Sequence, residues 1–239
     1  MIKAGIGYNF LPMKPKDLPF PYSWEDRRPL LKDGVLFVPD YYQGHSEFPK
    51  LDWSCGAVFA NTNRVVIEYC SGNGAWIIDK ALSFPAINWV AVEWRFDRVR
   101  KIWSKKNNTL IPNLFIVCGE AVTFTSSYVQ ESSVSEVYVN FPDPWPKEKH
   151  AKNRLIQQEF IQAIAKAVVK EGKATFVTDA AAYSRQMVEQ MQQSGEWRSH
   201  FPSPYFVSEW DGYGPSYFND LWTSQGRSIF YHQFINGKG

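Results

Sequence analysis

The chain has 239 residues, of which 44% are hydrophobic and 21% are charged, so it suits a globular protein of one large α/β domain or two small ones. A formal net charge of only +2 excludes a uniformly basic nucleic-acid-binding protein but allows a local basic patch. Three scattered cysteines, four separated histidines and the lack of a membrane span or signal peptide predict a cytoplasmic protein without structural metal.

Residues 1–60 are rich in proline and aromatic residues, and their hydrophobic periodicity is poor. This composition predicts an N-terminal arm or lid of short elements that packs on a main domain of residues 61–239.

From Asn63 onward, short apolar runs alternate with stretches of helical spacing. The five predicted strands are RVVIEYC, NWVAVEW, LFIVC, SEVYVNF and GKATFVTD. The predicted helices between and after them are AWIIDKALSF, RFDRVRKIWSKK, RLIQQEFIQAIAKAVV and AAYSRQMVEQMQQ. Two more strands are predicted near PYFVSEW and RSIFYHQF, with one of them antiparallel at the edge. The alternation predicts an α/β fold with a mostly parallel, seven-stranded sheet.

Ligands of such open sheets bind beyond the carboxyl ends of the strands, so four strand-end segments are read together. These segments are EYCSGNG, VEWR, CGEA and NFPDPW.

The first segment predicts a cofactor turn. Gly72 and Gly74 allow a tight strand-to-helix turn, although Cys70 stands where a first glycine would complete a dinucleotide fingerprint, and the segment also suits a plain turn. About 20 residues later, Glu93 ends the next strand, where an acidic residue accepts hydrogen bonds from ribose hydroxyls.

Acidic residues at this rim indicate which cofactor binds. Glu68, Glu93 and Glu120 would repel a pyrophosphate, but they suit the cationic sulfonium and ammonium groups of S-adenosylmethionine (SAM). The alternative is that each glutamate only caps or solvates a strand end.

The loop in NFPDPWPKEKHAKNRL, residues 140–155, predicts the reacting centre. Its prolines hold Asp143 on a stiff loop, and Trp145 offers a ring that can stack on a base. A rigid carboxylate beside an aromatic face suits guanine, whose N7 is an accessible lone pair. Because N7 carries no proton to remove, we expect Asp143 to be catalytic through positioning and electrostatics. The alternative is a proline-rich turn with a core tryptophan.

Cationic side chains crowd the segment that follows. They predict a phosphate-binding patch at the mouth of the site, whereas the alternative is a solvated helix N-terminus, which the helix dipole disfavours. The residues are Lys147, Lys149, His150, Lys152 and Arg154.

This loop resembles the signature of the bacterial tRNA (guanine-N7-)-methyltransferase family, in which F-P-D-P-W precedes a lysine and a basic stretch. The resemblance runs from about Asn63 to Phe234. The N-terminal arm is similar to a divergent branch of the family, and in this chain the family-like sequence begins at Met13. It implies a Rossmann-like class I SAM-dependent methyltransferase, either monomer or homodimer, that methylates N7 of the variable-loop guanine, position 46, of tRNA.

Carried over by position, the resemblance assigns the site residues. It implies a SAM site lined by Glu68, Glu93, Glu120 and Asp143. It implies substrate contacts from Lys147, Asp179 and the segment Ser216–Asn219, and RNA contacts from Lys149 to Arg154.

Three departures from the family pattern put parts of the site in doubt. Cys70 replaces a glycine, Glu120 stands where Asp or Asn is usual, and Asn219 stands where Glu is typical. Two alternatives therefore stay open: a methyltransferase for another nucleobase position, and a non-catalytic tRNA-binding subunit with the same fold.

Overall fold

Four apolar runs form buried parallel strands at the centre of the chain. The computed structural model describes residues 12–22, 27–39, 41–214, 221 and 223–237. The central strands are β3 (Val65–Tyr69), β4 (Asn88–Glu93), β5 (Leu114–Cys118) and β6 (Val134–Asn140). Every residue of β3, β4 and β5 is buried, as expected for strands that are covered on both faces.

Five α-helices cover the two faces of this sheet in the described residues. They are α1 (Ala75–Ser83), α2 (Phe96–Asn108), α3 (Ala121–Tyr128), α4 (Gln158–Ala167) and α5 (Ala181–Ser194). One apolar cluster joins the sheet to α3, α4 and α5, and a second cluster joins its opposite face to α1 and α2. The protein therefore has the three-layer arrangement of a doubly wound α/β fold.

The strand order places the site-forming segments at one rim. Among the described residues the sheet also contains β1 (Leu30–Lys32), β2 (Val35–Phe37), β7 (Val168–Thr178), β8 (Trp197–Ser199) and β9 (Phe230–Asn236). The strand order there is β1-β2-β5-β4-β3-β6-β7-β9-β8, and β3 pairs in parallel with both β4 and β6. The direction of strand addition reverses between β3 and β6, which is where open α/β sheets bind ligands. The predicted fold class is confirmed.

The N-terminal arm contributes two strands, so the described sheet has nine strands and not the predicted seven. β1 (Leu30–Lys32) and β2 (Val35–Phe37) form a hairpin, and β2 pairs in parallel with β5. Gly119 permits this close approach, because a Cβ there would lie 2.6 Å from Cβ of Val38. The division of the chain near residue 60 stays a prediction.

The C-terminal part differs from the sequence prediction in two places. The helix in RLIQQEFIQAIAKAVV begins only at Gln158, and its final valines belong to β7 (Val168–Thr178). No strand forms around PYFVSEW beyond a single bridge from Val207 to Tyr231, since nearby prolines lack ladder donors. Instead, β8 (Trp197–Ser199) pairs with β9 (Phe230–Asn236), which runs antiparallel to β7 as predicted for RSIFYHQF.

A neutral histidine lies in the core between β9 and α5. The side chain of His232 is fully buried, and its Nε2 lies 3.0 Å from Oγ of Ser184. Its Nδ1 lies 3.1 Å from the carbonyl oxygen of Tyr205. Burial lowers the pKa of His232 to about 4.

We expect His232 to make folding stability depend on pH. Because the unfolded chain binds this proton with a pKa of about 6.5, stability is full above that value and falls as the pH drops toward 4. From pH 7 to pH 5 this group should remove roughly 2 kcal/mol of unfolding free energy. Urea denaturation of the wild type and of His232→Gln at both pH values measures it, and an equally steep pH dependence in the variant would contradict it.

Candidate active site

A cavity of about 420 Å³ opens at the carboxyl rim of the parallel strands. Its size is typical of small-molecule sites. Part of its lining comes from the ends of four neighbouring strands and includes Cys70, Glu93, Glu120, Asp143 and Trp145. The rest comes from residues between 152 and 160, among them the predicted site residues Lys152 and Arg154. The structure thus brings together three of the four carboxylates that the sequence selected.

Glu93 joins the end of β4 to the glycine turn. Its Oε2 accepts a hydrogen bond from the backbone N–H of Gly72 at 2.8 Å, and its Oε1 accepts one from the backbone N–H of Arg95 at 2.9 Å. The guanidinium of Arg98 lies 3.9 Å away. Burial raises the pKa of Glu93 despite these hydrogen bonds. The carboxylate is oriented before any ligand binds.

Glu68, the fourth carboxylate, lies beneath the rim and outside the cavity lining. It is 2% exposed, and its Oε1 accepts a hydrogen bond from Nδ2 of Asn140 at 2.7 Å. Burial raises its pKa to about 7. Within the described part of the chain, Oε2 of Glu68 and Oδ1 of Asn140 have no hydrogen-bond partner. Two buried acceptors are therefore available to a donor or cation, and Asn140 is a site candidate that the sequence prediction did not assign.

The glycine turn is more strained than a full glycine motif would be. Gly72 and Gly74 have φ values of 56° and 73°, and a Cβ at Gly74 would lie 2.8 Å from Cγ1 of Ile102. Cys70 also has a positive φ, 59°, which glycine tolerates and a side chain disfavours. Cys70 thus keeps the positive φ that a glycine of the motif could adopt, and its side chain contributes to the cavity lining.

Glu120 combines a capping role with its place in the cavity. Its two carboxylate oxygens accept hydrogen bonds from the backbone N–H groups of Val122 and Thr123, at 2.9 and 2.7 Å. It is therefore the N-cap of α3, and it also lines the cavity. The longer side chain reaches both donors, which explains why Glu fits here.

The proline loop presents Asp143 to the cavity. Asp143 is exposed, and its Oδ1 accepts a hydrogen bond from the backbone N–H of Trp145 at 3.3 Å. Phe141 and Trp145 have φ values of 48° and 40°, so the loop follows a path that side-chain-bearing residues rarely take. Trp145 is half-buried and also lines the cavity.

Arg154 holds this loop and does not belong with the exposed cations. It is 7% exposed, and its Nε donates to the carbonyl oxygen of Pro144 at 2.8 Å. Its other donors reach the carbonyl of Trp145 at 3.3 Å and the side chain of Gln186, while its guanidinium lies over the ring of Tyr183. The buried guanidinium thus clamps the backbone on either side of the loop's bend, a role that the sequence prediction missed.

The remaining cations form an exposed patch beside the cavity. Lys147, Lys149 and Lys152 are exposed, and the latter two lie in a 3-10 helix, Glu148–Asn153, that is separate from α4. The ring of His150 is half-buried and stands edge-on to Trp145, with centroids 5.7 Å apart. The patch is therefore not at the N-terminus of an α-helix.

Asp179, another predicted substrate residue, is not among the residues that line this cavity. Asp179 forms an ion pair with Arg227, with Oδ2 and Nη1 2.6 Å apart. Ser216 and Asn219 lie outside the described residues.

Neither a metal-binding cluster nor a membrane-spanning helix occurs in the described ranges. There, no three His, Cys, Asp or Glu side chains lie together in a way that could hold a metal ion. Nor does any described helix combine the length and apolar character needed to cross a bilayer.

Comparisons with known proteins point to one class of enzyme. A family model described as "Putative methyltransferase" matches residues 62–230. A tRNA (guanine-N(7)-)-methyltransferase of Chlamydia muridarum is 46% identical over 227 residues, which cover 95% of this chain and 100% of that protein. One of the same name from Rubrobacter xylanophilus is 28% identical and covers 74% of this chain and 79% of its own length.

Solved structures agree on the fold. The 16S rRNA methyltransferase KamB matches with a TM-score of 0.55 at 14% identity, over 75% of this chain and 91% of its own. A 16S rRNA (adenine(1408)-N(1))-methyltransferase from Catenulisporales acidiphilia, solved with SAM as cosubstrate, matches with a TM-score of 0.53 at 12% identity, over 75% of this chain and 88% of its own.

We expect Arg154→Lys to loosen the proline loop, because a single ammonium cannot reproduce the fork of guanidinium donors. Hydrogen exchange should become faster at the amides of Asp143, Trp145 and Lys147 and stay unchanged in β6. Lys152→Gln, which neutralises an exposed neighbour, is the matched control. Wild-type exchange in Arg154→Lys would show that the clamp is not needed.

Proposed function

Because this chain belongs to the tRNA (guanine-N7-)-methyltransferase family, we propose that it transfers the methyl group of SAM to N7 of a guanine in tRNA. The chain is a SAM-dependent enzyme of the class I methyltransferase fold. The observation that carries the proposal is the cavity at the strand ends, where Asp143 on its clamped loop faces the acidic rim. We propose the variable-loop guanine, position 46, as the target.

The residues of the rim fit SAM. The buried carboxylates of Glu68 and Glu93 favour a ligand with positive charge, and the unpartnered Oε2 of Glu68 is an acceptor for an ammonium group. When bound, SAM supplies an electrophilic methyl group on a cationic sulfur. We propose that Glu68, Glu93, Glu120 and Asp143 hold it, with the turn of Gly72 and Gly74 allowing close backbone approach.

Asp143 acts as a positioning and electrostatic group in this proposal. Guanine N7 has no proton, so the reaction needs no general base there. A carboxylate that accepts hydrogen bonds from the N1–H and N2–H₂ donors of guanine stabilises the positive charge that develops on the purine. The Arg154 clamp fixes the loop, so little free energy is spent on ordering Asp143 during the reaction.

The exposed cations suit the RNA backbone. We propose that Lys147, Lys149, His150 and Lys152 contact tRNA phosphates beside the cavity. Arg154 contributes to this surface by holding the loop. Substrate contacts from Asp179, Ser216 and Asn219 stay proposals, as do a cytoplasmic location and a monomeric or homodimeric state.

The first test is the reaction itself. The protein is incubated with unmodified tRNA and methyl-labelled SAM, and the labelled nucleoside is identified by mass spectrometry. We expect 7-methylguanosine from the wild type, and a loss of about 100-fold or more in turnover for Asp143→Ala, with a much smaller loss of SAM affinity because the three glutamates remain in place. Asp79→Ala, at an exposed position on α1, is the control. Label in another nucleoside would refute the proposed target, and full turnover in Asp143→Ala would refute the role of Asp143.

The second test uses the raised pKa of Glu68. A cationic ligand binds its carboxylate form, and since the folded pKa is about 7, SAM affinity should fall about tenfold from pH 8 to pH 6. Calorimetric titration of Glu68→Gln should show weaker binding and a flatter pH dependence. The amino group of SAM titrates equally in both proteins, so the difference reports Glu68. The same slope in both proteins would mean that Glu68 does not contact the cation.

A further inference from the structure

Helix α2 carries a concentration of positive charge that the proposed site does not use. Residues 95–108 contain six basic side chains and one acidic side chain, in a protein whose formal net charge is +2. The basic residues are Arg95, Arg98, Arg100, Lys101, Lys105 and Lys106, and the acidic residue is Asp97.

Some of these charges already have structural roles. Arg95 pairs with Asp97 at 3.1 Å. Arg100 donates hydrogen bonds to the carbonyl oxygens of Leu18 and Lys16, at 2.7 and 3.0 Å, and so ties the N-terminal arm to the helix.

Three of the other four cations form one stripe along the helix, whereas Lys106 is partly buried. Arg98, Lys101 and Lys105 are separated by three and four residues, a spacing that puts them on the same face. Lys101 and Lys105 are exposed and have no carboxylate partner among the described residues. Burial and then the charge of Lys101 lower the pKa of Lys105. Arg98 is partly neutralised by Glu93 at 3.9 Å, but Lys101 and Lys105 repel each other with no carboxylate in the described part of the chain paired to either, whereas an ordinary solvated face mixes both signs.

The arm adds two more cations to this surface. Oγ of Ser104 and Nδ2 of Asn108 both donate to the carbonyl oxygen of Met13, at 2.6 and 2.8 Å. These bonds hold the segment that carries the exposed Lys14 and Lys16 against α2. We call the group Arg98, Lys101, Lys105, Lys14 and Lys16 the α2 basic surface.

This surface begins at the rim of the cavity. α2 starts at Phe96, just after Glu93, which lines the cavity, and the Nζ of Lys105 donates to the carbonyl oxygen of Asn73 in the glycine turn at 2.8 Å. From Arg98 to Lys105 the helix rises about 10 Å, which is long enough to meet more than one phosphate of a nucleic-acid strand. The patch at Lys147, Lys149 and Lys152 follows a different strand, β6.

We propose that the α2 basic surface is a second contact surface for the phosphate backbone of the tRNA substrate. The inference rests on the proposed function and extends it: the RNA is held through phosphates by α2 as well as by the lysine patch after β6. Because phosphates carry no base identity, this surface contributes affinity and orientation, and not the choice of guanine.

The test is the double variant Lys101→Gln/Lys105→Gln in the full chain. tRNA affinity is measured at several salt concentrations, SAM affinity by calorimetry, and the thermal midpoint in parallel. We expect about tenfold weaker tRNA binding near 0.1 M salt and a salt dependence whose slope is smaller by about two, since two phosphate contacts are lost. Because Nζ of Lys105 also donates to the carbonyl oxygen of Asn73 in the glycine turn, SAM affinity and the thermal midpoint are compared for the single variant Lys101→Gln, in which neither should change.

Two further double variants serve as a charge-matched control and as a second test of the same surface. Lys170→Gln/Lys173→Gln removes the same charge from exposed positions of β7 near the opposite edge of the sheet, and should bind tRNA like the wild type. Lys14→Gln/Lys16→Gln should weaken tRNA binding in the same way as the α2 variant. Wild-type affinity and slope in the α2 variant, or an equal loss in the β7 control, would overturn the inference. If the wild type methylates tRNA and the α2 variant binds tRNA normally, only this inference fails; a wild type that does not methylate tRNA refutes the proposed function.

Discussion

The burial of two carboxylates at the ends of adjacent parallel strands determines the character of the cleft. Glu68 and Glu93 are each 2% exposed, and the cation nearest to Glu93 is Arg98 at 3.9 Å. Hydrogen bonds from Asn140 and from backbone N–H groups orient the two carboxylates but do not neutralise them, so burial still raises both pKa values. Positive charge on a ligand relieves this cost, and the unoccupied lone pairs give that charge a defined place.

Charge of opposite sign surrounds this acidic centre. The lysine patch after β6 and the α2 basic surface are local concentrations of positive charge in a chain whose formal net charge is only +2. A small cationic cofactor and a large polyanionic substrate can thus be attracted to neighbouring regions of one protein. The loop that carries Asp143 contributes to the cavity lining. The buried Arg154 holds this loop by donating hydrogen bonds to the carbonyl oxygens of Pro144 and Trp145.

A structural feature could be predicted from the sequence when it depends on residues that are close together along the chain. The strands β3 to β6 were predicted correctly, because buried parallel strands are continuous apolar runs. β1 and β2 have three residues each, too few for periodicity to detect. The role of Arg154 was missed because it depends on Tyr183 and Gln186, which α5 supplies from far along the chain. Glu120 was predicted to line the site, but its capping of α3 appears only once the helix start is known.

The parallel pairing of β2 with β5 has a consequence for how the protein is made. Residues 35–37 leave the ribosome long before residues 116–118, so the strand that pairs with β2 has not yet been synthesised when β2 emerges. The β1–β2 hairpin can pair locally, but the other edge of β2 must wait while β3 and β4 emerge, and its docking is a step of assembly that local contacts cannot begin. Synthesis from the amino end thus makes β2 one of the early strands to appear and one of the later strands to join the sheet.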